Sequence, residues 1–498
     1  MRFTAFALMA TALSVALPAT QAHIGPGVPS KIQIRNTDMN TVRAVRRMEH
    51  SHDHHRPIHR RAKAAKDEAS EAQIETPTEE CKPYGLSAVN DMVKDFPTAW
   101  DVADILPHDT QAMAIMQAIN ASGLVPTDIQ ARGQQPASLM GTGTETGYNS
   151  NTDPACYWTA TGCTTPKAKG VLPDIISCAE PHTWGYTLDD GPNCTHNALY
   201  DFWKTQNQKV SLMYIGSNVM DWPLQAQRGL ADGHHICVHT WSHKYMTALT
   251  SNQAFAELYY TMQAIKKIMG ITPTCWRPPY GDVDDRIRAI AQSLGLRTYV
   301  WDHDTDDWEV APEGPKPTAT VQANYDSIIS LGSAPAAETG GIVVLQHELT
   351  NGTMELVKEN YPKMKSAFPN IVPLTACLNL THPYVEDIIY PNFAEYVGGN
   401  VMPSGLPTTF TVQADAVATP QGTLKSMGSL MATAPAGGPD NAGVVSSSSA
   451  AAGPSSSNGS PDNLSNKKSA ASPSTVIAPF AVVIAGLTAG AFMLLNNN

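Results

Sequence analysis

The sequence predicts an α/β protein: a distorted or incomplete (β/α) barrel of about seven parallel strands, with an N-terminal extension and a disordered C-terminal stalk. From about residue 178 to 390, short β-rich runs alternate with helical runs, which is the pattern of parallel strands joined by helices. Polar clusters follow five of the strand-like runs. In a (β/α) barrel the chemistry collects at the carboxyl ends of the strands, so these clusters indicate an active-site rim.

Each strand is predicted from a short run of β-branched and aromatic residues. The strand candidates are TWGYTL, VSLMYI, HHICVH, PTCWRP, RTYVWD, GIVVLQ and IVPLTAC. Between them, AFAELYYTMQAIKKIM places apolar residues from Phe255 to Met269 on one helical face, and DDRIRAIAQSLGL ends at a glycine stop signal. We interpret these apolar stripes as core.

The two ends of the chain carry the signs of targeting segments. Residues 1–22 hold a basic residue, an apolar run and small residues, which predicts a cleaved secretory signal. Residues 476–498 hold an apolar run with no basic tail, preceded by small residues, which favours a glycosylphosphatidylinositol (GPI) anchor signal over a permanent membrane helix. We therefore expect a secreted glycoprotein, GPI-anchored at the outer surface of the plasma membrane, in the cell wall, or both.

The segments between these ends differ in composition. Residues 23–80 are poor in large apolar residues and carry dibasic pairs at Arg46–Arg47 and Arg60–Arg61, which favours a propeptide-like segment, although its histidine cluster could bind metal. The remaining predicted segments are an N-terminal extension packed on the barrel (81–177), the catalytic domain (178–390) and a Ser/Ala/Gly/Pro-rich stalk (391–475).

Charge and cysteine content narrow the class of protein further. The net charge of -12 argues against nucleic acid as a partner. Eight cysteines, an even number, suit an oxidising compartment, although their spacing does not fix the pairing. Cys178 and Cys377 flank the first and last predicted strands, which are neighbours when a barrel nearly closes, so we expect a disulfide between them.

Two clusters have the residue types of a metal site. Asp189 and Asp190 end the first strand in TLDDGP; the alternative is that one faces solvent and the other caps the next helix. His239 and His243 in HTWSH are four residues apart, so a helix there would present both imidazoles on one face, although such a pair is also common on helix surfaces. Two imidazoles and one carboxylate would leave a coordination position open for water or substrate.

The two neighbouring aspartates, Asp189 and Asp190, could then have different roles in catalysis. One would complete the metal triad and the other would take a proton from water, and strand alternation would aim the two side chains differently. Arg277, which opens RPPYGD, would keep the base ionised and oriented, unless it forms only a structural salt bridge.

A third group of residues fits an acid and a pocket. His347 should emerge at the end of IVVLQ, where a protonated imidazole could protonate a leaving group, with Asp304 or Asp307 raising its pKa; the alternative is a core histidine. Trp308, Tyr280 and Leu345 could wall an apolar pocket, or could be ordinary packing residues.

These five clusters, in this order, resemble the motifs of the polysaccharide deacetylases, the NodB homology family. The motifs are TLDDGP, HTWSH, RPPYGD, DTDDW and IVVLQHE. Together with the secretory and anchor signals, they point to the fungal chitin deacetylases within that family.

The resemblance implies a role for each site residue. Asp189 resembles the catalytic base, and Asp190, His239 and His243 resemble the ligands of a divalent metal, Zn2+ or else Co2+. Arg277 is similar to the arginine that holds the base, and His347 to the general acid, with Asp307 or else Asp304 as its orienting partner. The remaining matches are Ser242 (bracing the metal-binding loop), Tyr280 (a backbone amide for the oxyanion), and Trp308 with Leu345 (walls of the acetyl pocket).

The activity that the resemblance implies is metal-dependent hydrolysis of N-acetyl groups in chitin or another N-acetylglucosamine polysaccharide, for cell-wall modification. The alternatives are deacetylation or de-esterification of another acetylated polysaccharide, and a non-catalytic glycan-binding wall mannoprotein. No protein partner is implied. A glycan on Asn193, in the sequon directly after TLDDGP, would lie near the mouth of the site.

Overall fold

Eight short parallel strands form one sheet in the computed structural model, which describes residues 65–133 and 148–420. The strands are β1 (Thr183–Gly191), β2 (Ser211–Tyr214), β3 (His235–Val238), β4 (Cys275–Trp276), β5 (Arg297–Thr298), β6 (His303–Asp304), β7 (Ile342–Leu345) and β8 (Asn370–Val372). All seven predicted strands are present. The additional strand, β6, lies inside the DHDTDDW run that we had interpreted only as a polar cluster.

The strand order is that of an incomplete barrel, as predicted. Strands run β5-β4-β3-β2-β1-β7-β6, and β8 pairs with β1. Strand β1 therefore lies centrally, and β5 and β6, which are neighbours in the chain, form the two edges. The last predicted strand, IVPLTAC, is only partly extended, because the helix Leu374–Cys377 begins directly after Pro373.

Helices connect the strands and cover the sheet. The helices that precede β1 are Glu68–Glu71, Pro77–Glu80, Ser87–Met92, Thr110–Ser122 and Trp158–Thr161. Those that follow β1 are Asn197–Thr205, Gly216–Asp221, Pro223–Ala231, Ser251–Met269, Asp285–Ser293, Thr318–Ser330, Asn351–Ala367, Leu374–Cys377 and Phe393–Val397. Among the described residues, we find no helix with the length and apolar character needed to cross a membrane.

Strand β1 separates the helix layer from the barrel interior. All nine of its residues are buried, and its side chains alternate. Trp184 packs against Phe368, and the Tyr186 hydroxyl accepts a hydrogen bond from Trp203 in the helix Asn197–Thr205. On the opposite side of the strand, Thr187 and Asp189 both contact Arg277, which is fully buried.

The folded part extends beyond the boundaries predicted for the extension and the stalk. Glu71 and Glu80, within the predicted propeptide-like segment 23–80, are buried, and both accept hydrogen bonds from Asn197. Within the predicted stalk 391–475, the Tyr396 hydroxyl accepts a hydrogen bond from the backbone of Lys209. The boundaries at 80 and 391 therefore do not coincide with the edges of the packed structure. The predicted signal peptide, the tail 476–498 and most of the stalk lie outside the described residues.

Four disulfides use all eight cysteines. They join Cys81 to Cys194, Cys156 to Cys163, Cys178 to Cys377, and Cys237 to Cys275. The predicted pair Cys178–Cys377 is confirmed, and it links the segment before β1 to the helix after β8. The pair Cys81–Cys194 ties the N-terminal extension to the loop that follows β1.

Candidate active site

The two aspartates are both placed at the site by a break in strand β1, and not by simple alternation. The backbone at Asp190 is left-handed, with φ of 74°, and the pairing with β2 shifts register between Asp189 and Gly191. Asp189 Oδ2 lies 3.6 Å and Asp190 Oδ1 3.4 Å from the same atom, Nε2 of His239. The strand alternation that we predicted to aim the two side chains is therefore broken at Asp190, and both carboxylates lie near Nε2 of His239.

The two histidines are also brought together by a loop, and not by a helix as we had expected. Thr240 and His243 have left-handed backbones, with φ of 66° and 53°. The Nε2 atoms of His239 and His243 lie 3.1 Å apart, and Nε2 of His243 lies 2.9 Å from Asp190 Oδ1. All three side chains are buried.

This donor set fits a divalent cation. The ligand atoms of Asp190, His239 and His243 all lie within 4.8 Å of one another. Nδ1 of His239 lies 2.8 Å from the carbonyl oxygen of Arg277, which can only accept, so Nδ1 carries a proton and Nε2 of the neutral ring keeps its lone pair. Nε2 is therefore the ring nitrogen that faces the carboxylate oxygens and is available to a cation.

Two other clusters of potential metal ligands among the described residues are less suited to a cation than Asp190, His239 and His243. His235 lies beside Cys237 and Cys275, and Asp153 lies beside Cys156 and Cys163. In both clusters the two cysteines are joined in a disulfide, so neither offers a thiolate. Asp190, His239 and His243 are thus the better-suited metal ligands.

Asp189 is held by Arg277 in the barrel interior. A guanidinium N–H of Arg277 donates to Asp189 Oδ1 at 2.7 Å and to Thr187 Oγ1 at 2.9 Å, and another donates to the carbonyl oxygen of Val300 at 3.3 Å. Both charged groups are almost completely buried. The charge-assisted hydrogen bond from the guanidinium fixes the orientation of the Asp189 carboxyl group.

His347 lies beside Asp189 on the neighbouring chain segment that extends β7. Asp189 donates its backbone N–H to Gln346 and accepts from Glu348, so Asp189 and His347 are paired across the sheet. Asp307 Oδ1 lies 2.6 Å from Nδ1 of His347, and Oδ2 accepts the His347 backbone N–H at 2.9 Å. Nε2 is the ring nitrogen left to face a substrate.

The charge of His347 follows from these neighbours. Burial by itself would lower its pKa, but Asp307, through its charge and its hydrogen bond, together with Asp190 and Asp189, raises the pKa of His347 to about 9. The imidazolium is therefore the stable form near neutral pH. Asp304, the second candidate partner, instead accepts from the backbone of Asp306.

The three predicted wall residues lie on different segments around this centre. Tyr280, left-handed with φ of 59°, stacks on Tyr245 at 4.0 Å between ring centroids and meets the ring of His243 edge-on at 4.8 Å. Leu345 is buried at the end of β7, two residues before His347. Trp308 directly follows Asp307 and is half-buried.

Sequence reasoning missed the residue that braces the metal-binding loop. Glu257, in the helix Ser251–Met269, accepts the backbone N–H groups of Trp241 and Ser242, at 2.9 and 2.8 Å, and the Ser242 hydroxyl at 2.6 Å. Ser242 therefore acts through Glu257. A buried carboxylate costs free energy unless it accepts hydrogen bonds. The position of Glu257 in a helix that is buried on nearly every side was therefore the signal that could have identified it.

Glu348 is a second acidic residue that we did not include in the site. It follows His347, is fully buried, and accepts from the Tyr200 hydroxyl at 3.0 Å. Burial, opposed by the Tyr200 hydrogen bond and reinforced by the charge of Asp190, raises its pKa well above the usual range. Its position directly after the predicted acid was the signal for it.

Comparisons with known proteins agree with this arrangement. Residues 177–299 match the family model described as polysaccharide deacetylase. The chain is 48% identical to chitin deacetylase 2 of Cryptococcus neoformans var. grubii over 68% of this chain and 73% of that protein. The chain belongs to the polysaccharide deacetylase family. Another member of this family, the chitin deacetylase of Amylomyces rouxii, is 43% identical over 64% of this chain and 74% of that protein.

The family assignment confirms the resemblance inferred from the five motifs. Among solved structures, the chitin deacetylase of Colletotrichum lindemuthianum is similar to 42% of this chain, over 94% of its own length, with 23% identity and a TM-score of 0.39. The matched range 177–299 contains the aspartate pair, the histidine pair and Arg277. The segment with Asp307 and His347 lies beyond it.

Proposed function

We propose that this protein hydrolyses the N-acetyl groups of N-acetylglucosamine units in chitin, giving chitosan and acetate. One observation carries the proposal: a carboxylate held by Arg277, a candidate metal triad and a histidine held by Asp307 meet at one end of a single sheet. The names of the related proteins support chitin as the substrate.

The chain's own residues would supply the base and the acid. Asp189, held in place by Arg277, accepts a proton from the water that attacks the acetyl carbonyl carbon. His347, protonated because of Asp307, then donates a proton to the amide nitrogen as the C–N bond breaks. The immediate products are acetic acid and the free amine on the sugar; transfer of the acid's proton to the amine gives acetate and an ammonium group. Asp189 then releases its proton to solvent and His347 takes one up, so atoms and charge balance.

Asp190, His239 and His243 would hold the divalent cation, for which we propose Zn2+. Two imidazoles and one carboxylate are a common zinc ligand set in hydrolases. When bound, such a cation supplies a Lewis acid that polarises the carbonyl and acidifies water. Tyr280 would contribute a backbone amide toward the developing negative charge, and the packing of its ring against His243 supports a position near the reacting group.

Acetate release from N-acetylglucosamine oligomers, measured with and without a chelator, tests the proposal. We expect acetate in the presence of Zn2+ and its loss after chelation, with recovery when metal is returned. Release from acetylated xylan but not from the oligomers would favour an esterase of another polysaccharide. Binding of the oligomers without any acetate would favour the non-catalytic wall protein.

We also propose that the protein is secreted and held by a GPI anchor. The apolar runs in residues 1–22 and 476–498 support this, and both lie outside the described residues. Treatment of cells with a phosphoinositide-specific phospholipase should release the protein. A mature protein that still contains residues 476–498 would contradict the anchor.

A further inference from the structure

A cavity of about 270 Å³ lies beside Asp190, one of the three candidate metal ligands, on the side of the N-terminal extension. Asp190 and Pro192 line it at the end of β1, and Trp100 of the extension lines it together with Trp222. The polar lining residues include Asn193, Thr195, Asn351 and the carboxylate Glu313. An apolar surface with a few polar groups is the usual composition of a small-ligand site.

Trp100 is held in an unusual conformation at this cavity. Its backbone is left-handed, with φ of 69°, which is rare for a bulky residue and occurs mostly where surrounding contacts enforce it. The backbone N–H donates to Ser217 Oγ at 2.8 Å, and the indole N–H donates to Asp221 Oδ2 at 2.9 Å. Both acceptors belong to the helix Gly216–Asp221, which follows β2.

The chain around Trp100 is fixed to the metal-binding loop. Phe96 stacks on Trp241 at 5.6 Å between centroids, and the carbonyl oxygen of Thr98 accepts the Trp241 indole N–H at 3.0 Å. Ala103 donates its backbone N–H to Glu257, the carboxylate that also holds the backbone N–H groups of Trp241 and Ser242. The extension is thus rigidly positioned relative to His239 and His243.

We infer that Trp100 forms the wall of a sugar subsite next to the reaction centre, which takes the adjoining N-acetylglucosamine unit of the same polysaccharide chain. This inference rests on the proposed function. The C–H faces of a pyranose ring are apolar and its edge is polar, so an aromatic side chain with amides and hydroxyls around it complements the ring. Asp190 belongs both to the cavity lining and to the candidate metal triad, so a unit in the cavity would lie next to one at the metal site.

Binding of chitotetraose to the catalytically impaired Asp189→Asn protein, measured by calorimetry with the metal present, tests the inference without requiring turnover. Adding Trp100→Ala should weaken binding about 10-fold, as expected for removal of a central aromatic contact. The matched control is Val102→Ala, in the same segment but 39% exposed and not part of the cavity wall, which should bind as before. Metal content should be equal in all three proteins.

A second pair of variants covers the case in which Trp100→Ala does not fold. Trp100→Phe keeps an aromatic face and should retain most of the binding, whereas Trp100→Leu should lose it. Equal binding by the phenylalanine and leucine variants, or by Trp100→Ala and its parent, would overturn the subsite. If binding depends on Trp100 but the metal-loaded protein with Asp189 intact releases no acetate, the proposed function would be overturned and the subsite would stand.

Discussion

Asp307 holds His347 at two points: one carboxylate oxygen lies 2.6 Å from ring Nδ1 and the other accepts the His347 backbone N–H at 2.9 Å. The two contacts fix both the tautomer and the position of the ring, so that the proton available to a substrate is on Nε2. Asp307 itself is fully buried, which strengthens its effect on the imidazolium.

Replacing Asp307 by asparagine should move the alkaline limb of the pH–activity profile to lower pH. The carboxylate favours the charged imidazole, so its loss lowers the pKa of His347 from about 9, and the acid form disappears earlier as pH rises. The measurement is kcat/KM for an N-acetylglucosamine oligomer between pH 6 and pH 10. An unchanged alkaline limb would show that His347 is not the acid.

The raised pKa of His347 also affects the stability of the fold. The pKa of His347 is raised above the ordinary 6.5, so its protonation contributes stability that is fully present below pH 6.5 and is lost as pH rises through about 9. A bound cation would offset the charges of Asp190 and Asp189, which raise the pKa of His347. Metal loading should therefore bring the alkaline limb of the pH–activity profile below pH 9.

Asp189→Asn and Asp190→Asn should fail in different ways. Asparagine at 189 can still accept from Arg277 but cannot take a proton, so activity should fall about 10²- to 10⁴-fold while most of the metal remains. Asparagine at 190 removes the ligand charge 2.9 Å from His243, so metal affinity should fall and added metal should restore part of the activity. Metal analysis beside acetate release separates the two, and the opposite pattern would exchange their roles.

The barrel and its rim could be predicted because both follow from local patterns. Apolar residues recur with a period of 2 in runs such as TWGYTL and with a period of 3.6 from Phe255 to Met269, so the sequence alone indicates these strands and helices. Once the strands are parallel, their carboxyl ends share one edge, which brings Asp189 and His347 side by side. The disulfide between Cys178 and Cys377 could be predicted for the same reason, because the first and last strands are neighbours in a nearly closed barrel.

The local geometry of the metal ligands could not be predicted, because tertiary contacts impose it. Neither aspartate nor threonine requires a left-handed backbone, so the sequence does not reveal this conformation at Asp190 or Thr240. Asn218 donates to the Asp190 carbonyl oxygen and Gly216 donates to that of Thr240, both at 2.8 Å, so one helix after β2 fixes both turns. The position of Trp100 could not be predicted for the same reason, because its hydrogen-bond partners lie more than a hundred residues away in the sequence.

Glu257→Gln should weaken metal binding without touching a ligand. Its carboxylate accepts four hydrogen bonds, and an amide group would turn one acceptor into a donor that faces N–H groups. Loss of such support typically costs about 10- to 100-fold in metal affinity. Competition with a chromophoric chelator measures it. The control Glu355→Gln, at an exposed position, should leave the affinity unchanged, and equal affinities in both variants would contradict the bracing role.

Gly191→Ala should disturb the end of β1 more than its small size suggests. A Cβ at this position would lie 1.6 Å from Glu348 Oε1 and 2.9 Å from the ring of Tyr214. Glu348 cannot move aside cheaply, because it is fully buried and bonded to Tyr200. We expect a loss of about 1–3 kcal/mol in the free energy of unfolding, together with weaker metal binding, since Gly191 directly follows Asp190. Denaturant unfolding is the measurement, with Gly340→Ala as the control because its Cβ would make only an ordinary 3.5 Å contact. If the two variants are equally stable, the packing of Glu348 against Gly191 does not hold the aspartates in place.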